Sequence, residues 1–587
     1  LTQDLLLNVH QAYHTQIDDL LLAALARTVG DWSKQEEVVI GLEGHGREHI
    51  SDELDINRTV GWFTNLYPVP LSLKKNLSAS GMVQAVKEQL RQVPDKGLGY
   101  GALRYLHPDT ELRDRLSQAE PFQVIFNYLG QVDNALHGSR WFAGAQESPG
   151  QLVSPANRST SQLDINSRIV HGQLHLEWRY AGNLYEETTI ASLAAKYLEV
   201  LTELITHCKG KEVPQYTPAD YGLTGKVDYD ELEHFLRKEY KGKPFGEQVS
   251  SIYGLSPRQQ GMLFHGLYDQ DAQGYVEQLS AKLTGVKVEP FKASWEYLLR
   301  KHSILRSSFH DDLSIPVQCV HKALELPFEL LDFRHLPEDQ KQEKVALFRA
   351  ADSKKGFNYS QAPLFRLTLI RLSGDVYEMV WTHHHLLVDG WSMPILMQGL
   401  LSTYDTLNKG GNPVQVEEDR YEDFIRHLER KDPLEAENFW KECLAGVEEP
   451  SLLPFVENTK DRNKGGDTYR LNRWLLEESV MHALQEYAYE NRLTLNTMVQ
   501  GVWAYLLASY TGQQDIVYGV TVAGRPADLE GAETRVGLYI NTLPLRSSLA
   551  AEQPVREWLT ALQEGQTQAR EHAHTPLSSI QQWQGMA

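Results

Sequence analysis

The run Trp381-Thr-His-His-His-Leu-Leu-Val-Asp-Gly-Trp-Ser392 sets three imidazoles and a carboxylate where an apolar stretch gives way to a polar turn. Histidine is the side chain whose unperturbed pKa permits proton traffic near neutral pH, so general acid–base chemistry is the first expectation here. The elements that must position these groups are also legible. Phe365, Leu367 and Leu369 alternate with Arg366 and Thr368, Ser373-Gly374-Asp375 reads as a turn, and Val376-Tyr-Glu-Met-Val-Trp381 is an apolar return. That pattern predicts a β-hairpin delivering the histidines at its end. Met393, Ile395, Leu396, Met397, Leu400 and Leu401 then space as a helix. On a strand, His383 and His385 share one face and His384 takes the other. His383, His385 and Asp389 can be read as a metal ligand set, but no other metal-type spacing accompanies them, and no metal is expected.

Within this run, His384-His385-x-x-x-Asp389-Gly390 matches the HHxxxDG signature of condensation domains in non-ribosomal peptide synthetases. Companion motifs follow in the order and approximate spacing of that family. Upstream lie Tyr253-Gly-Leu-Ser-Pro-Arg-Gln-Gln-Gly-Met-Leu-Phe264 and Lys301-His-Ser-Ile-Leu-Arg306-Ser. Downstream lie Tyr421-Glu-Asp-Phe, Val520-Thr-Val-Ala-Gly-Arg-Pro526, Val536-Gly-Leu-Tyr-Ile-Asn-Thr-Leu-Pro-Leu-Arg546 and His574-Thr-Pro-Leu577. Residues 251–587 are thus identified as resembling a condensation domain. The resemblance implies an α/β fold of two chloramphenicol-acetyltransferase-like lobes in a V, about 251–432 and 433–587, with the site in a tunnel between them. The family continues for some tens of residues past its last motif, so this domain is expected to be truncated at its C-terminal end.

The implied reaction joins an upstream peptidyl thioester to the amine of a downstream aminoacyl thioester. Both are carried on phosphopantetheine arms of carrier domains, next to adenylation domains of the same assembly line. No cofactor is expected to bind directly: the thioester is already activated, and the chain has neither a GxxxxGK[ST] nor a GxSxG motif. The amine attacks only as its free base, so His385 is the expected catalytic residue, either taking the proton or holding the amine. Base assistance is worth about 10²–10⁴-fold. His384 is expected to be structural. Asp389 is expected to be architectural, in a buried ion pair with Arg306 as first candidate and Arg525 as second. Breaking such a pair costs roughly 3–5 kcal/mol. Gly390 is expected to let the turn approach the pantetheine arm. Domains accepting an L-configured donor tend to carry Ser before the motif aspartate, whereas this chain has Val388; Tyr275-Val-Glu-Gln278 also resembles the subclass that takes a D-configured donor. A non-catalytic carrier-docking scaffold and an ester-forming variant are the competing readings.

The first 208 residues carry a second set of motifs. Arg58-Thr-Val-Gly-Trp-Phe-Thr-Asn-Leu-Tyr-Pro68, Val93-Pro-Asp-Lys-Gly-Leu-Gly-Tyr-Gly101 and Phe126-Asn-Tyr-Leu-Gly-Gln131 resemble, in order, the later motifs of epimerization domains. The resemblance implies the C-terminal part of such a domain, without the histidine motif of its N-terminal half. Glu43 would be the carboxylate in proton exchange at Cα, with Arg47, Asn127 and Tyr128 around the same channel. Inverting a stereocentre needs groups on both faces, so this part is not expected to epimerise unaided. For an isolated Glu43 a solvated loop carboxylate would be the simpler reading.

The remaining sequence sets boundaries on these expectations. Residues 209–250 read as an ordered interdomain linker, too rich in Tyr, Phe and Leu for a free tether, with two helical turns at Tyr229-Asp-Glu-Leu-Glu-His-Phe-Leu-Arg237. Ile17, Leu20, Leu21, Ala24 and Leu25 predict a helix, and Val38-Val-Ile-Gly-Leu42 a buried strand. Further on, Phe291, Trp295, Leu298 and Leu299 predict one apolar helix face. Ser256-Pro257 is a helix start, Met481 to Tyr489 and Leu495 to Tyr510 are helical, and Ile516 to Val522 is a strand. A formal charge of −21 disfavours nucleic acid and anionic membranes as partners. Three widely spaced cysteines argue against a disulfide framework. No apolar run is long enough to cross a bilayer, and no secretion signal opens the chain, so a cytoplasmic setting is expected.

Overall fold

Apolar periodicity decides the first elements. In the computed structural model the 17–25 pattern forms the helix Ile17–Ser33, whose Leu20, Leu21, Ala24 and Leu25 are buried. Its N-terminus is closed by Asp19, which accepts from the Gln16 backbone N–H at 2.6 Å and from Arg91 at 2.8 and 2.9 Å. The structure describes residues 1–48, 55–118, 122–131, 150, 154, 156, 161–268, 275–414, 417–447, 451 and 471–585. Contacts divide the chain into two compact units, Leu1–Gly246 and Glu247–Ala587.

In the first unit five strands form one sheet, in the order Asn65–Ser72, Glu37–Gly44, Val124–Gln131, Leu163–Val170 and Gln173–Tyr180. The two inner pairings that flank Val124–Gln131 are parallel and the outer two antiparallel. Helices Ile17–Ser33 and Glu187–Lys209 pack together with the sheet around one apolar cluster. The stretch after Lys209 is ordered. Helix Tyr229–Arg237 forms where the sequence places it, Asp220 takes the buried Lys87 ammonium at 2.6 Å, and Leu223, Leu232 and Phe235 are buried.

The second unit builds its site on a four-stranded sheet, in the order Phe328–Asp332, Phe365–Arg371, Val376–His384 and Val276–Thr284. The expected hairpin is present: Phe365–Arg371 and Val376–His384 pair antiparallel, with Phe365 opposite His383. Val276–Thr284 lines the other edge of the histidine strand and places Glu277 opposite His383. Helix Pro257–Tyr268 begins at the anticipated residue, capped reciprocally by Ser256 and Gln259. Phe291, Trp295, Leu298 and Leu299 on Val288–Lys301 are buried, and this helix packs against Ser392–Asn408. Trp295 meets Trp381 at 5.2 Å between ring centroids, a contact that holds the base of the histidine strand.

The helices Glu478–Glu490 and Leu495–Thr511 and the strand Asp515–Val522 also form where the periodicity placed them. That strand pairs with Asn541–Ser548, under helix Val555–Glu571. The segment leading into Asn541–Ser548 has a second role. Val536, Leu538 and Tyr539 are buried in the same apolar cluster as Leu386, Leu387, Val388 and Tyr421. Gly537 makes this possible, because a Cβ there would stand 2.3 Å from the Tyr421 ring. Gly524 has a φ of +61°, and a Cβ on it would strike the Tyr539 carbonyl.

Candidate active site

The histidine strand ends at His384, and the three imidazoles then part company. His383 is buried and stacks on Trp381 at 4.2 Å between centroids; its Nε2 lies 3.2 Å from Glu277 Oε2. His385 shares that side, as alternation predicts, with Nε2 3.8 Å from Glu277 Oε1. His384 faces the other way, into the rings of Tyr275, Phe357 and Tyr359. Burial first, and then the neighbouring His385 and His383, hold the His384 pKa down to about 3. Its Nδ1 accepts from the Leu386 backbone N–H at 3.1 Å, so this ring is a neutral cap for the turn.

His385 has a different environment. Its Nδ1 lies 2.7 Å from the Val388 carbonyl. A carbonyl only accepts, so Nδ1 carries a hydrogen, and in the neutral imidazole the lone pair sits on Nε2. The side chain is 19% exposed, neither sealed in the core nor out on open surface. Nε2 is therefore a reachable proton acceptor held in orientation by its own turn. The contact with His383 holds the Glu277 carboxyl below its ordinary range, against partial burial.

Asp389 serves the loop. It is buried, and Oδ1 accepts from the Ser392 backbone N–H at 2.9 Å and from Ser392 Oγ at 2.8 Å. Oδ2 accepts from the Tyr539 backbone N–H at 2.9 Å. Its cationic partner is Arg525, at 3.5 Å with the side chain 8% exposed. The first-ranked expectation, Arg306, is corrected. Arg306 is buried elsewhere, pairing with Glu418 and donating to the carbonyls of Leu299, His321 and Lys322. Both arginines follow from the motif order, and only the crossing of residues 536–540 over the histidine loop brings the later one close. Gly390 lies in open space and outside the left-handed region, so nothing steric near it requires glycine.

A cavity of about 810 Å³ opens beside this loop, lined by Trp391, His427, Lys431, Arg525, Asp528 and His574 among others. It shares Arg525 with the Asp389 pair, but His385 does not contribute to its wall. Asp389 is engaged by Ser392 and Tyr539 and does not join the His383/His385 pair; the carboxylate that does is Glu277. Sequence reading reached Glu277 only as part of a subclass motif, because its role depends on strand register.

In the first unit, Glu43 and Asn127 meet, with Asn127 Nδ2 donating to Glu43 Oε2 at 2.7 Å across adjacent parallel strands. Partial burial first, and then the Asp164 charge, raise the Glu43 pKa. Burial likewise raises that of Tyr128. Arg47 is engaged by the Ile56 carbonyl and lies over the Phe63 ring at 4.4 Å, so among the described residues its contacts are not with Glu43.

The second unit thus carries an oriented imidazole on an HHxxxDG loop within a mixed α/β fold. The condensation-domain family profile matches residues 1–218 and 249–585, and the chain belongs to that family, found in the synthetases of peptide antibiotics. It is 42% identical over 586 residues to a linear gramicidin synthase polypeptide of Brevibacillus parabrevis, covering 100% of this chain and 8% of that protein. It is 34% identical over 585 residues to bacitracin synthase 3 of Bacillus licheniformis, covering 99% of this chain and 9% of that one. The chain therefore spans about a tenth of the length of these relatives. Among solved structures, the epimerization domain from the third module of tyrocidine synthetase B is 43% identical, covering 36% of this chain and 46% of that one, with a TM-score of 0.33. Among the described residues no helix is long and apolar enough to cross a membrane.

Proposed function

We propose that the second unit forms peptide bonds in a non-ribosomal assembly line, moving a D-configured donor acyl group from one carrier's phosphopantetheine onto the amine of a carrier-bound L-aminoacyl thioester. The observation that carries this reading is the His385 imidazole, oriented by the Val388 carbonyl with Nε2 toward reachable space. The amine nitrogen attacks the thioester carbon as His385 Nε2 takes a proton. The C–S bond then breaks and the leaving thiolate receives that proton. Asp389, Ser392 and Arg525 hold the loop and touch none of the reacting atoms. The D-donor assignment is supported by Val388 before Asp389 and by the Tyr275–Gln278 motif.

Residues 1–208 are, in this reading, the C-terminal part of an epimerization domain, and the Glu43–Asn127 pair is its contribution to proton exchange at Cα. A carboxylate with a raised pKa is suited to returning a proton as well as taking one. An upstream stereocentre inversion and a D-selective condensation would then be neighbours in one chain. The test uses the full-length parent with both carriers loaded, comparing D- and L-terminated donors for wild type and His385→Ala. His385→Ala is expected to lose about 10²–10⁴-fold in dipeptide formation. Unchanged turnover by that variant would remove the catalytic assignment, and equal rates with L donors would remove the stereochemical one.

A further inference from the structure

Among the described residues Glu277 is the one carboxylate that reaches the histidine pair, and peptide-bond formation by His385 gives it no task. Strand register puts it opposite His383, on the face His383 shares with His385. Oε2 rests 3.2 Å from His383 Nε2, and Oε1 stands 3.8 Å from His385 Nε2. The first contact sets the carboxylate against an imidazole that is itself stacked on Trp381. The second is too long for a hydrogen bond. It leaves a gap whose two sides are both acceptors: a carboxylate oxygen and the imidazole lone pair left by the Nδ1–Val388 bond. One ammonium nitrogen about 2.8–3.0 Å from each acceptor can bridge the two from beside the line that joins them. Glu277 is 46% exposed and His385 19% exposed, so both partners of this contact meet solvent.

We infer that Glu277 is a positioning residue for the acceptor, binding its α-ammonium group between its own carboxylate and His385 Nε2. This deepens the role proposed for His385 and rests on it. The α-amine of an aminoacyl group has a pKa of about 8, so near neutrality it arrives mostly as the cation. His385 takes one proton from the held ammonium, and the resulting imidazolium faces the Glu277 carboxylate. The freed amine attacks the thioester carbon, the C–S bond breaks, and the thiolate takes the imidazolium proton. The new amide nitrogen then gives its surplus proton to the regenerated His385, from which it leaves to water, so one proton is released overall. The titratable groups acting on Glu277 are His383 and His385 on its own side and His384 across the strand. Its sheet neighbour Gln278 points the other way and engages Arg349 of helix Glu338–Ser353. Contact with His383 holds the Glu277 carboxyl below its ordinary range, which favours the ionised form that ammonium binding requires.

The experiment supplies the acceptor as a soluble aminoacyl-pantetheine to the full-length parent, so that its concentration can be varied from pH 6.5 to pH 9. Glu277→Gln is expected to raise the acceptor KM about tenfold or more at pH 6.5, with kcat within about threefold of wild type. The KM penalty should shrink toward unity at pH 9, where the amine arrives uncharged, and Glu277→Asp should recover most of the binding. A wild-type KM for Glu277→Gln at pH 6.5, or a loss equal at both pH values, overturns the inference. His385→Ala in the same series separates the two levels. An active His385→Ala enzyme removes the underlying mechanism, whereas an inactive one beside a wild-type-like Glu277→Gln removes only the role of Glu277.

Discussion

Replacing Asp389 with asparagine separates architecture from chemistry. The carboxylate accepts three hydrogen bonds, from Ser392 N–H, Ser392 Oγ and Tyr539 N–H, and neutralises the 8%-exposed Arg525 side chain. Asparagine keeps one acceptor oxygen and turns an NH₂ against either the Ser392 or the Tyr539 amide, donor against donor. A hydrogen bond to a charged group is worth about 1.5–3 kcal/mol, and stripping the partner from a buried ion costs roughly 3–5 kcal/mol. Arg525 retains carbonyl partners at Ala532 and Arg535, so we take about 3–5 kcal/mol as the total rather than the sum. Hydrogen exchange at the Tyr539 and Ser392 amides reads this locally. Protection should fall by roughly two to three and a half powers of ten. A double variant with Arg525→Met should cost less than the two single changes together by about 1–3 kcal/mol. Protection within a factor of three of wild type, or strict additivity of the pair, would refute the argument that Asp389 acts by holding residues 536–540 on the histidine loop.

Three further outcomes are expected. In the pair Asp389→Asn with Arg306→Met the effects should add within about 0.5 kcal/mol, since Arg306 serves Glu418 and three carbonyls; coupling above 1 kcal/mol would restore the Arg306 partnership. Unfolded His384 takes up a proton near pH 6.5, whereas folded His384 does so only near 3, so unfolding absorbs a proton between these values and stability falls as the pH falls through that window. The loss attributable to this group is on the order of 5 kcal/mol in full, read as the difference in acid-unfolding midpoint between wild type and His384→Phe; coincident profiles would contradict it. Gly537→Ala drives a methyl into the Tyr421 ring and should cost about 1–3 kcal/mol by chemical denaturation; a neutral result would mean that the 536–540 segment packs differently.

Much of this protein was legible before any coordinates. Short-range patterns determined the hairpin that presents the histidines, the cap at Ser256, the buried face of Val288–Lys301, the helix Tyr229–Arg237 and the strand at Asp515–Val522, because each depends on periodicity or capping chemistry within a few residues. The opposed directions of His384 and His385 followed from alternation alone. Tertiary structure alone decided the partners. Asp389 meets Arg525, 136 residues away, rather than Arg306, because Gly524 and Gly537 let residues 536–540 cross the loop at van der Waals distance. Glu277 meets His383 and His385 because a separate strand pairs in one register, and a slip of a single residue would turn its carboxylate to the opposite face of the sheet. Residue types and local spacing named the groups capable of proton transfer; long-range packing chose which of them share a space.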